Sequence, residues 1–168
     1  KCIKKYDLII IDLFFADGVP EHLTTKEFYK NINNCLNDNG IILSNSLMDF
    51  SNELALNSTL STFNNQFDNL YYFYRPINEF TNLYIVAVKK GSSKNVEGLK
   101  VKLNSVPSSL KPKVIQALRN ANKFQQEDFN YQNILSDKNN QFSIIFAKVT
   151  PKFRKTFVSQ IPSRILIN

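Results

Sequence analysis

The sequence predicts an α/β fold whose sheet combines parallel strands with a terminal antiparallel pair. Three observations predict this fold. An apolar segment at residues 6–15 is followed by acidic, glycine and proline residues, a helical repeat of apolar residues comes next, and a second apolar segment lies at residues 41–45. A strand, a helix and a strand in this order form a parallel unit with a right-handed connection.

The first strand is predicted at residues 7–15, which are dense in leucine, isoleucine and phenylalanine without strict alternation. This pattern is typical of a parallel strand that is covered on both faces. Asp12 lies near the carboxyl end of the segment. Because ligands of open α/β sheets bind in the crevice outside the carboxyl ends of the strands, we expect Asp12 to face a ligand.

The first helix is predicted to begin at Thr24, because Thr24 and Glu27 have the spacing of a capping box. Apolar residues then recur at helical spacing over residues 28–36. Asn39 and Gly40 supply the residue types that favour a left-handed helix end. We therefore predict a helix of about three to four turns that stops at this pair.

Three further strands and one helix complete the predicted first half. A short apolar strand is predicted at residues 41–45, followed by a helix that is marked by apolar residues from 56 to 67. Two strands then follow at residues 70–74 and 83–88, close enough in the chain to pair antiparallel. The predicted order for the first half is β-α-β-α-β-β.

The second half begins with a small, polar linker at residues 91–98. A helix is predicted over residues 110–123, with Pro112 in its first turn. Residues 143–149 are compatible with either a strand or a helix, and periodicity does not decide between them. From residue 150 onward, basic and apolar residues alternate between prolines, which we interpret as a tail that docks on another surface.

The basic charge of the chain is concentrated in its second half. Residues 1–90 carry 8 Lys and Arg against 10 Asp and Glu, whereas residues 91–168 carry 13 against 4, for a net charge of +7. A basic half suits an anionic partner, but a solvated basic face also keeps a protein soluble. We favour the solvated face and expect no nucleic-acid partner; an anion-binding module remains an alternative.

Cysteine and histidine usage bears on the compartment and on metal binding. Cys2 and Cys35 are the only cysteines and form no CxxC motif, and His22 is the only histidine. These counts predict a reduced, cytoplasmic protein with two free structural thiols and no metal site. No apolar run approaches the roughly 18 residues of a membrane-spanning helix. Because Lys1 is the first residue, the chain is expected to be part of a longer gene product.

Residues 6–43 carry a resemblance to a known family. Their sequence is YDLIIIDLFFADGVPEHLTTKEFYKNINNCLNDNGIIL. It resembles the spermidine synthase (polyamine aminopropyltransferase) family and its spermidine-synthase-like relatives. The resemblance implies that residues 1–90 are the C-terminal half of a class I S-adenosylmethionine-dependent methyltransferase-like (Rossmann-like) domain, and that residues 91–168 are a basic helical extension and tail.

The family resemblance also implies an activity and a set of site residues. The implied reaction moves an aminopropyl or methyl group from decarboxylated S-adenosylmethionine or S-adenosylmethionine to a small-molecule amine, without a metal. Asp12 takes the place of the family's catalytic base. The other implied residues are Asp12 and Leu13 for the donor, and Asp17, Asn45, Asn78 and Asp137 for the amine.

This chain departs from the family pattern at three places. Phe15 stands where relatives usually have a second acid that binds the substrate ammonium. Residues 78–82 read Asn-Glu-Phe-Thr-Asn, where spermidine synthases have a tyrosine and a Ser-Gly pair, and Lys138 replaces the second acid of a Leu-Thr-Asp-Asp motif. An inactive relative that serves as an interaction or regulatory subunit is therefore the alternative prediction.

The glycine-rich loop and the ribose-binding acid of the family have no counterpart in these 168 residues. Alone, the chain is not expected to bind a nucleoside. Without the strands that carry those features, the first strand would form an exposed apolar edge with unpaired backbone groups. We therefore expect a missing N-terminal half or a partner chain to supply them, and we expect a homo-oligomer.

Overall fold

The computed structural model describes residues 2–13, 19–74, 80–92, 103–125 and 133–140. Short 3₁₀ turns lie at Glu21–Leu23 and Leu103–Ser105. The strands and helices, in chain order, are β1 (Tyr6–Asp12), α1 (Lys26–Cys35), β2 (Leu36–Asp49), α2 (Glu53–Gln66), β3 (Phe67–Tyr74), β4 (Phe80–Lys89), α3 (Lys111–Arg119) and β5 (Asn122–Lys123).

The described strands form one mixed sheet in the order β1-β2-β4-β3-β5. β1 pairs in parallel with β2, so the predicted parallel unit around α1 is confirmed. β4 lies antiparallel between β2 and β3, which confirms the predicted antiparallel pair. The carboxyl ends of β1, β2 and β3 therefore meet at one edge of the sheet, which we call the carboxyl edge.

The start of α1 differs by one residue from the prediction. Thr25 is the N-cap, and its hydroxyl accepts a hydrogen bond from the backbone N–H of Phe28 at 3.2 Å. The hydroxyl of Thr24 instead donates to the carbonyl of Glu21 at 2.6 Å. The predicted capping box is therefore wrong, because the preceding 3₁₀ turn engages Thr24 and leaves Thr25 to cap the helix.

The predicted end of α1 at Asn39 and Gly40 is also wrong, because the helix stops at Cys35 and β2 begins at once. Asn39 has a positive φ of 65° inside β2. A Cβ on Gly40 would lie only 3.0 Å from the carbonyl oxygen of Tyr6 on β1. Asn39 and Gly40 therefore lie at the irregularity in the pairing of β1 with β2. The backbone conformations that these residue types allow occur both at helix ends and in β-bulges, which explains the wrong prediction.

Two other helices end earlier than predicted. α2 ends at Gln66, so Phe67 is the first residue of β3 and not part of the helix. α3 ends at Arg119, although Pro112 lies in its first turn as predicted. Residues 93–98 of the predicted linker, residues 143–149 and the tail from residue 150 lie outside the described residues, so the proposed domain division is untested.

The core lies between the sheet and the pair α1 and α2. Phe63 of α2 is fully buried, and its ring lies 4.0 Å from that of Tyr29 and 5.9 Å from that of Phe67, centroid to centroid. Burial raises the pKa of the Tyr29 phenol well above its ordinary value. Leu83 and Ile85 of β4 are fully buried in the same cluster, so alternate strand residues face the helices.

β1 is an edge strand whose side chains are largely exposed. Leu8 is 53% exposed and Ile10 is 60% exposed, whereas Ile11 is buried. Leu8 lies opposite Ile41 of β2, which is another exposed apolar residue. The prediction that this strand is covered on both faces is therefore wrong for the described residues. The exposed apolar edge that we expected of this strand is confirmed among the described strands.

A disulfide joins Cys2 to Cys35, with their Cα atoms 5.5 Å apart. The prediction of two free thiols is therefore wrong. The parallel arrangement explains the pairing, because α1 returns the chain from the carboxyl edge to the end of the sheet where β1 begins. The bond also removes the basis for inferring a reducing compartment. No helix in the described part of the chain is long and apolar enough to cross a membrane.

Replacing both cysteines by serine is expected to lower the free energy of unfolding by about 3 to 4 kcal/mol, because the bond closes a loop of 33 residues in the unfolded chain. Urea denaturation under oxidising conditions measures the difference. A reducing agent should lower the stability of the wild-type chain by a similar amount and leave the double variant unchanged. Equal stability of the oxidised wild type and the variant would contradict a stabilising role for the bond.

Candidate functional site

Asp12 is the last residue of β1 and is exposed at the carboxyl edge. Its Oδ1 atom accepts a hydrogen bond of 3.1 Å from Nδ2 of Asn45. The two residues are also direct neighbours in the register of β1 and β2. The structure therefore brings together two of the residues that the sequence analysis selected, and it places the Asp12 carboxylate where a ligand can reach it.

The oxygen of the Asn45 side chain is buried and has no hydrogen-bond partner among the described residues. An amide oxygen in this state keeps its capacity to accept from an N–H donor. Asn45 thus orients the Asp12 carboxylate with one end of its amide and leaves the other end unsatisfied.

Tyr84 and Phe73 extend the row from Asp12 and Asn45 across the sheet. Tyr84 of β4 lies opposite Asn45, and Phe73 of β3 lies opposite Tyr84. The rings of Phe73 and Tyr84 stack with centroids 5.2 Å apart, and the Tyr84 oxygen accepts from Asn82 Nδ2 at 3.2 Å. Because register partners project from the same face, the four residues form one row of acid, amide and rings.

A similar pair lies at the opposite end of β1. Asp7 Oδ1 accepts a hydrogen bond of 2.8 Å from Asn37 Nδ2. An Asp–Asn contact between these strands is therefore not by itself a sign of function. What distinguishes Asp12 is its position at the carboxyl edge, where parallel strands present ligand-binding groups. Asp7 therefore offers a matched comparison for any test of Asp12.

Asp137 lies beside the start of α1. It is exposed, and its backbone N–H donates to Glu27 Oε2 at 3.0 Å. No hydrogen bond within the described part of the chain joins Asp137 to Asp12 or Asn45. Its predicted contact with the amine stays a prediction. The sequence analysis had also assigned Glu27 to the capping box, whereas this carboxylate accepts from the Asp137 backbone.

The remaining predicted residues divide between described and undescribed parts of the chain. Leu13 follows Asp12 directly and is exposed, so it borders the same edge of the sheet. Asp17 and Asn78 lie outside the described residues, as does Phe15, so the structure does not test their roles. Within the described ranges, no group of three or more His, Cys, Asp or Glu side chains is placed to hold a metal ion.

Acidic residues outnumber lysines at the carboxyl edge, although the whole chain has a net charge of +7. The count covers the ends of β1 and β2, the 3₁₀ turn at Glu21–Leu23, the starts of α1 and α2, and residues 133–140, and its lysines are Lys26 and Lys138. The acids are Asp12, Glu21, Glu27, Asp49, Glu53 and Asp137. Asp38 lies at the other end of β2, where the Lys89 ammonium donates to it at 2.8 Å and holds the pKa of its carboxyl below the ordinary value. The carboxyl edge is thus locally acidic.

A family model described as the spermine/spermidine synthase domain matches residues 1–100. The chain belongs to the spermine/spermidine synthase family. Three polyamine aminopropyltransferases share local identity with it. The protein from Vibrio vulnificus is 29% identical over 113 residues, 67% of this chain and 36% of that protein. Those from Methanocaldococcus jannaschii and Thermoplasma volcanium are 51% identical over 43 residues and 43% identical over 56 residues.

These last two matches cover 26% and 33% of this chain, and 15% and 20% of the respective relatives. A solved structure shares the fold: a probable spermidine synthase from Corynebacterium glutamicum superposes with a TM-score of 0.55 at 16% identity. That match covers 81% of this chain and 49% of the other. This member of the spermine/spermidine synthase family therefore spans at most about half the length of the proteins that it resembles.

Sequence reasoning missed Tyr84, Asn82 and Phe73 as neighbours of the candidate site in this family member. Tyr84 lies on the predicted strand at residues 83–88, whereas Asn82 lies just before it and belongs to the longer observed β4. What the sequence did not provide was the register that sets Tyr84 opposite Asn45. No local signal specifies that pairing, because β4 pairs with β2 across an intervening helix and strand.

Proposed function

We propose that this chain forms the part of a spermidine-synthase-like aminopropyltransferase that deprotonates the amine acceptor. The proposal depends on one observation above all: in a member of the spermine/spermidine synthase family, Asp12 lies exposed at the carboxyl edge and is oriented by Asn45. An amine attacks only through a free lone pair, so a carboxylate beside it serves as proton acceptor. Asp12 is the residue that we assign to this role.

The acidic carboxyl edge supports an amine as the acceptor. Polyamines carry several positive charges, and surplus carboxylates attract such a ligand and hold its ammonium groups. Asp12 and Asp137 are exposed carboxylates of this edge, and Glu27 is half-buried. Asn45 supports this edge by holding the Asp12 carboxylate with its amide N–H. The same chemistry would disfavour an anionic acceptor.

The proposed donor is decarboxylated S-adenosylmethionine, which supplies an aminopropyl carbon bonded to a sulfonium. The acceptor nitrogen forms a bond to that carbon while the carbon–sulfur bond breaks, methylthioadenosine leaves, and the nitrogen's proton passes to a carboxylate oxygen of Asp12. Asn45 keeps this carboxylate in place through its amide hydrogen bond. The negative charge of Asp12 also favours the positive charge that grows on the attacking nitrogen.

The described residues provide only part of a binding site for this donor. Asp12 and Leu13 offer a carboxylate and an apolar surface at the end of β1. A glycine-rich loop for the nucleoside is absent from the 168 residues. We therefore propose that the exposed edge of β1 pairs with strands from a further segment or a partner chain, which carry that loop. The exposed Leu8 and Ile10 side chains suit such a covered surface.

In isolation, residues 1–168 are expected to self-associate through the uncovered β1 edge, because exposed apolar edge strands pair with one another. Light scattering after size exclusion would then give a mass above the 19.4 kDa of one chain. Lysines in place of Leu8 and Ile10 should restore the monomer, since a charged edge resists pairing. Leu54→Lys, at an exposed apolar position on α2, is the control. A wild-type chain that stays monomeric at all concentrations would contradict the prediction.

The proposed function is tested on the gene product that carries this chain. The purified protein is given decarboxylated S-adenosylmethionine and a diamine, and release of methylthioadenosine is measured. Release that depends on the diamine supports aminopropyl transfer. A methylated amine formed from S-adenosylmethionine would instead indicate methyl transfer. Neither product from a folded protein that binds the nucleoside would contradict the proposal.

The last outcome would favour a second candidate, an inactive relative that acts as an interaction or regulatory subunit. The sequence observation behind it is the replacement of acceptor-binding residues: Phe15 stands in place of an acid, and residues 78–82 lack the tyrosine and Ser-Gly pair of spermidine synthases. A ring offers an ammonium group only a weak cation–π contact in place of a salt bridge. Acceptor binding measured by calorimetry separates the two candidates.

A further inference from the structure

The segment of residues 133–140 packs against the start of α1 although more than 100 residues separate them in the sequence. Leu135 is fully buried. Its backbone N–H donates to Thr62 Oγ1 of α2 at 3.0 Å, and its carbonyl accepts from the Lys26 N–H at 2.9 Å. Both backbone groups of one buried residue thus connect the two helices.

Two further residues of this segment bind the chain that leads into α1. Asn140 Nδ2 donates to the carbonyl of Glu21 at 2.6 Å and to Thr24 Oγ1 at 3.3 Å. The Asp137 N–H donates to Glu27 Oε2. Residues 133–140 therefore form hydrogen bonds with residues 21–27 at several positions along that segment.

These contacts complete an otherwise unfinished helix start. The first N–H groups of any α-helix lack partners within the helix. In α1, the N-cap Thr25 serves the N–H of Phe28, while the N–H of Lys26 is satisfied by Leu135. The geometry of this helix start, and of the 3₁₀ turn before it, consequently depends on residues 133–140.

We propose that residues 133–140 are a latch that positions the chain after Asp12, with Asn140 and Leu135 as its positioning residues. This inference rests on the proposed function of the Asp12 site. Asn45 anchors the end of β1, and the latch anchors residues 21–27 at the start of α1. The described residues on either side of this connection, Asp12 and residues 21–27, are thereby held by hydrogen bonds. The latch acts through these residues and needs no contact of its own with the substrate.

Two different variants open the latch. Asn140→Ala removes the donor to Glu21 and Thr24. Thr62→Val keeps the side-chain shape but removes the acceptor for the Leu135 N–H, together with the hydroxyl's donation to the Ser58 carbonyl within α2. Thr62→Ser keeps the hydroxyl and is the rescue variant. Lys138→Ala, at an exposed position in the same segment, is the matched control.

Amide hydrogen exchange on the 168-residue chain tests the latch directly. Exchange at residues 21–28 is expected to be about tenfold faster in Asn140→Ala and Thr62→Val, since each loses hydrogen bonds. Exchange at residues 83–88 of β4 should stay unchanged, and Thr62→Ser and Lys138→Ala should resemble the wild type. Unchanged exchange at residues 21–28 in both variants overturns the latch. Faster exchange throughout β4 as well reduces it to a general packing contact and overturns it equally.

Kinetics of the gene product test the positioning role. Both latch variants should lower kcat for aminopropyl transfer about tenfold with KM for the donor unchanged, and Thr62→Ser should keep the kcat of the wild type. Unchanged kcat despite faster local exchange overturns positioning. A wild-type gene product without activity refutes the proposed function instead, and the exchange measurement still decides whether the latch exists.

Discussion

Replacing Asp12 by asparagine is expected to slow aminopropyl transfer by a factor of about 10² to 10⁴, the usual contribution of a positioned general base. The asparagine oxygen can still accept the hydrogen bond from Asn45, so the geometry of the pair survives. What the variant loses is the negative charge and the ability to take the proton. Methylthioadenosine release at saturating substrate measures the loss as a lower kcat.

Asp7→Asn is the control for this variant. Asp7 lies on the same strand, is exposed, and accepts from Asn37 as Asp12 accepts from Asn45. It lies at the opposite end of the sheet, so its replacement should leave the transfer rate unchanged. Both variants should keep the stability of the wild type within about 0.5 kcal/mol, as expected for exposed positions. Equal rates for Asp12→Asn and wild type would refute Asp12 as the base.

Replacing Phe63 by alanine is expected to lower the free energy of unfolding by about 3 to 5 kcal/mol, the usual result of emptying a large buried site. Phe63 is fully buried, and its ring packs between Tyr29 of α1 and Phe67 of β3. The loss is large against the 5 to 15 kcal/mol of a typical domain. Urea denaturation followed by circular dichroism would measure it in the oxidised chain.

Leu54→Ala on the same helix provides the comparison. Leu54 is 41% exposed, so its replacement removes little buried surface, and the expected change is within about 0.5 kcal/mol. Helix propensity is almost equal in the two variants, since each introduces alanine into α2. If both variants lost the same stability, the core that we place between α1, α2 and the sheet would not be the main source of stability.

Much of the candidate site was predictable because its signals are local. The apolar segment that ends near Asp12 indicated a strand with an acid at its carboxyl end, and Asn45 ended the next predicted strand at residues 41–45, although β2 continues to Asp49. Parallel strands joined by a helix place such ends at one edge, so their proximity follows from topology alone. The hydrogen bond between the two side chains agrees with that expectation.

Local signals were less accurate where one pattern serves two structures. Asn39 and Gly40 have the composition of a helix end, but they form an irregularity inside β2. Thr24 and Glu27 have capping-box spacing, but each side chain has another partner, in the 3₁₀ turn and in the latch. In both cases the sequence pattern correctly marked residues with an unusual backbone conformation or a side-chain hydrogen bond. Contacts elsewhere in the fold determined which conformation and which partner each residue has.

The sequence by itself determined the order of strands and helices over residues 1–90, the parallel unit around α1 and the position of Asp12, because these follow from the periodicity of neighbouring residues. Only the tertiary structure decided the bond between Cys2 and Cys35, the neighbourhood of Tyr84 and the latch over α1. Each of these joins residues more than 30 positions apart. Such contacts depend on how the elements pack, and no local pattern in the chain encodes that packing.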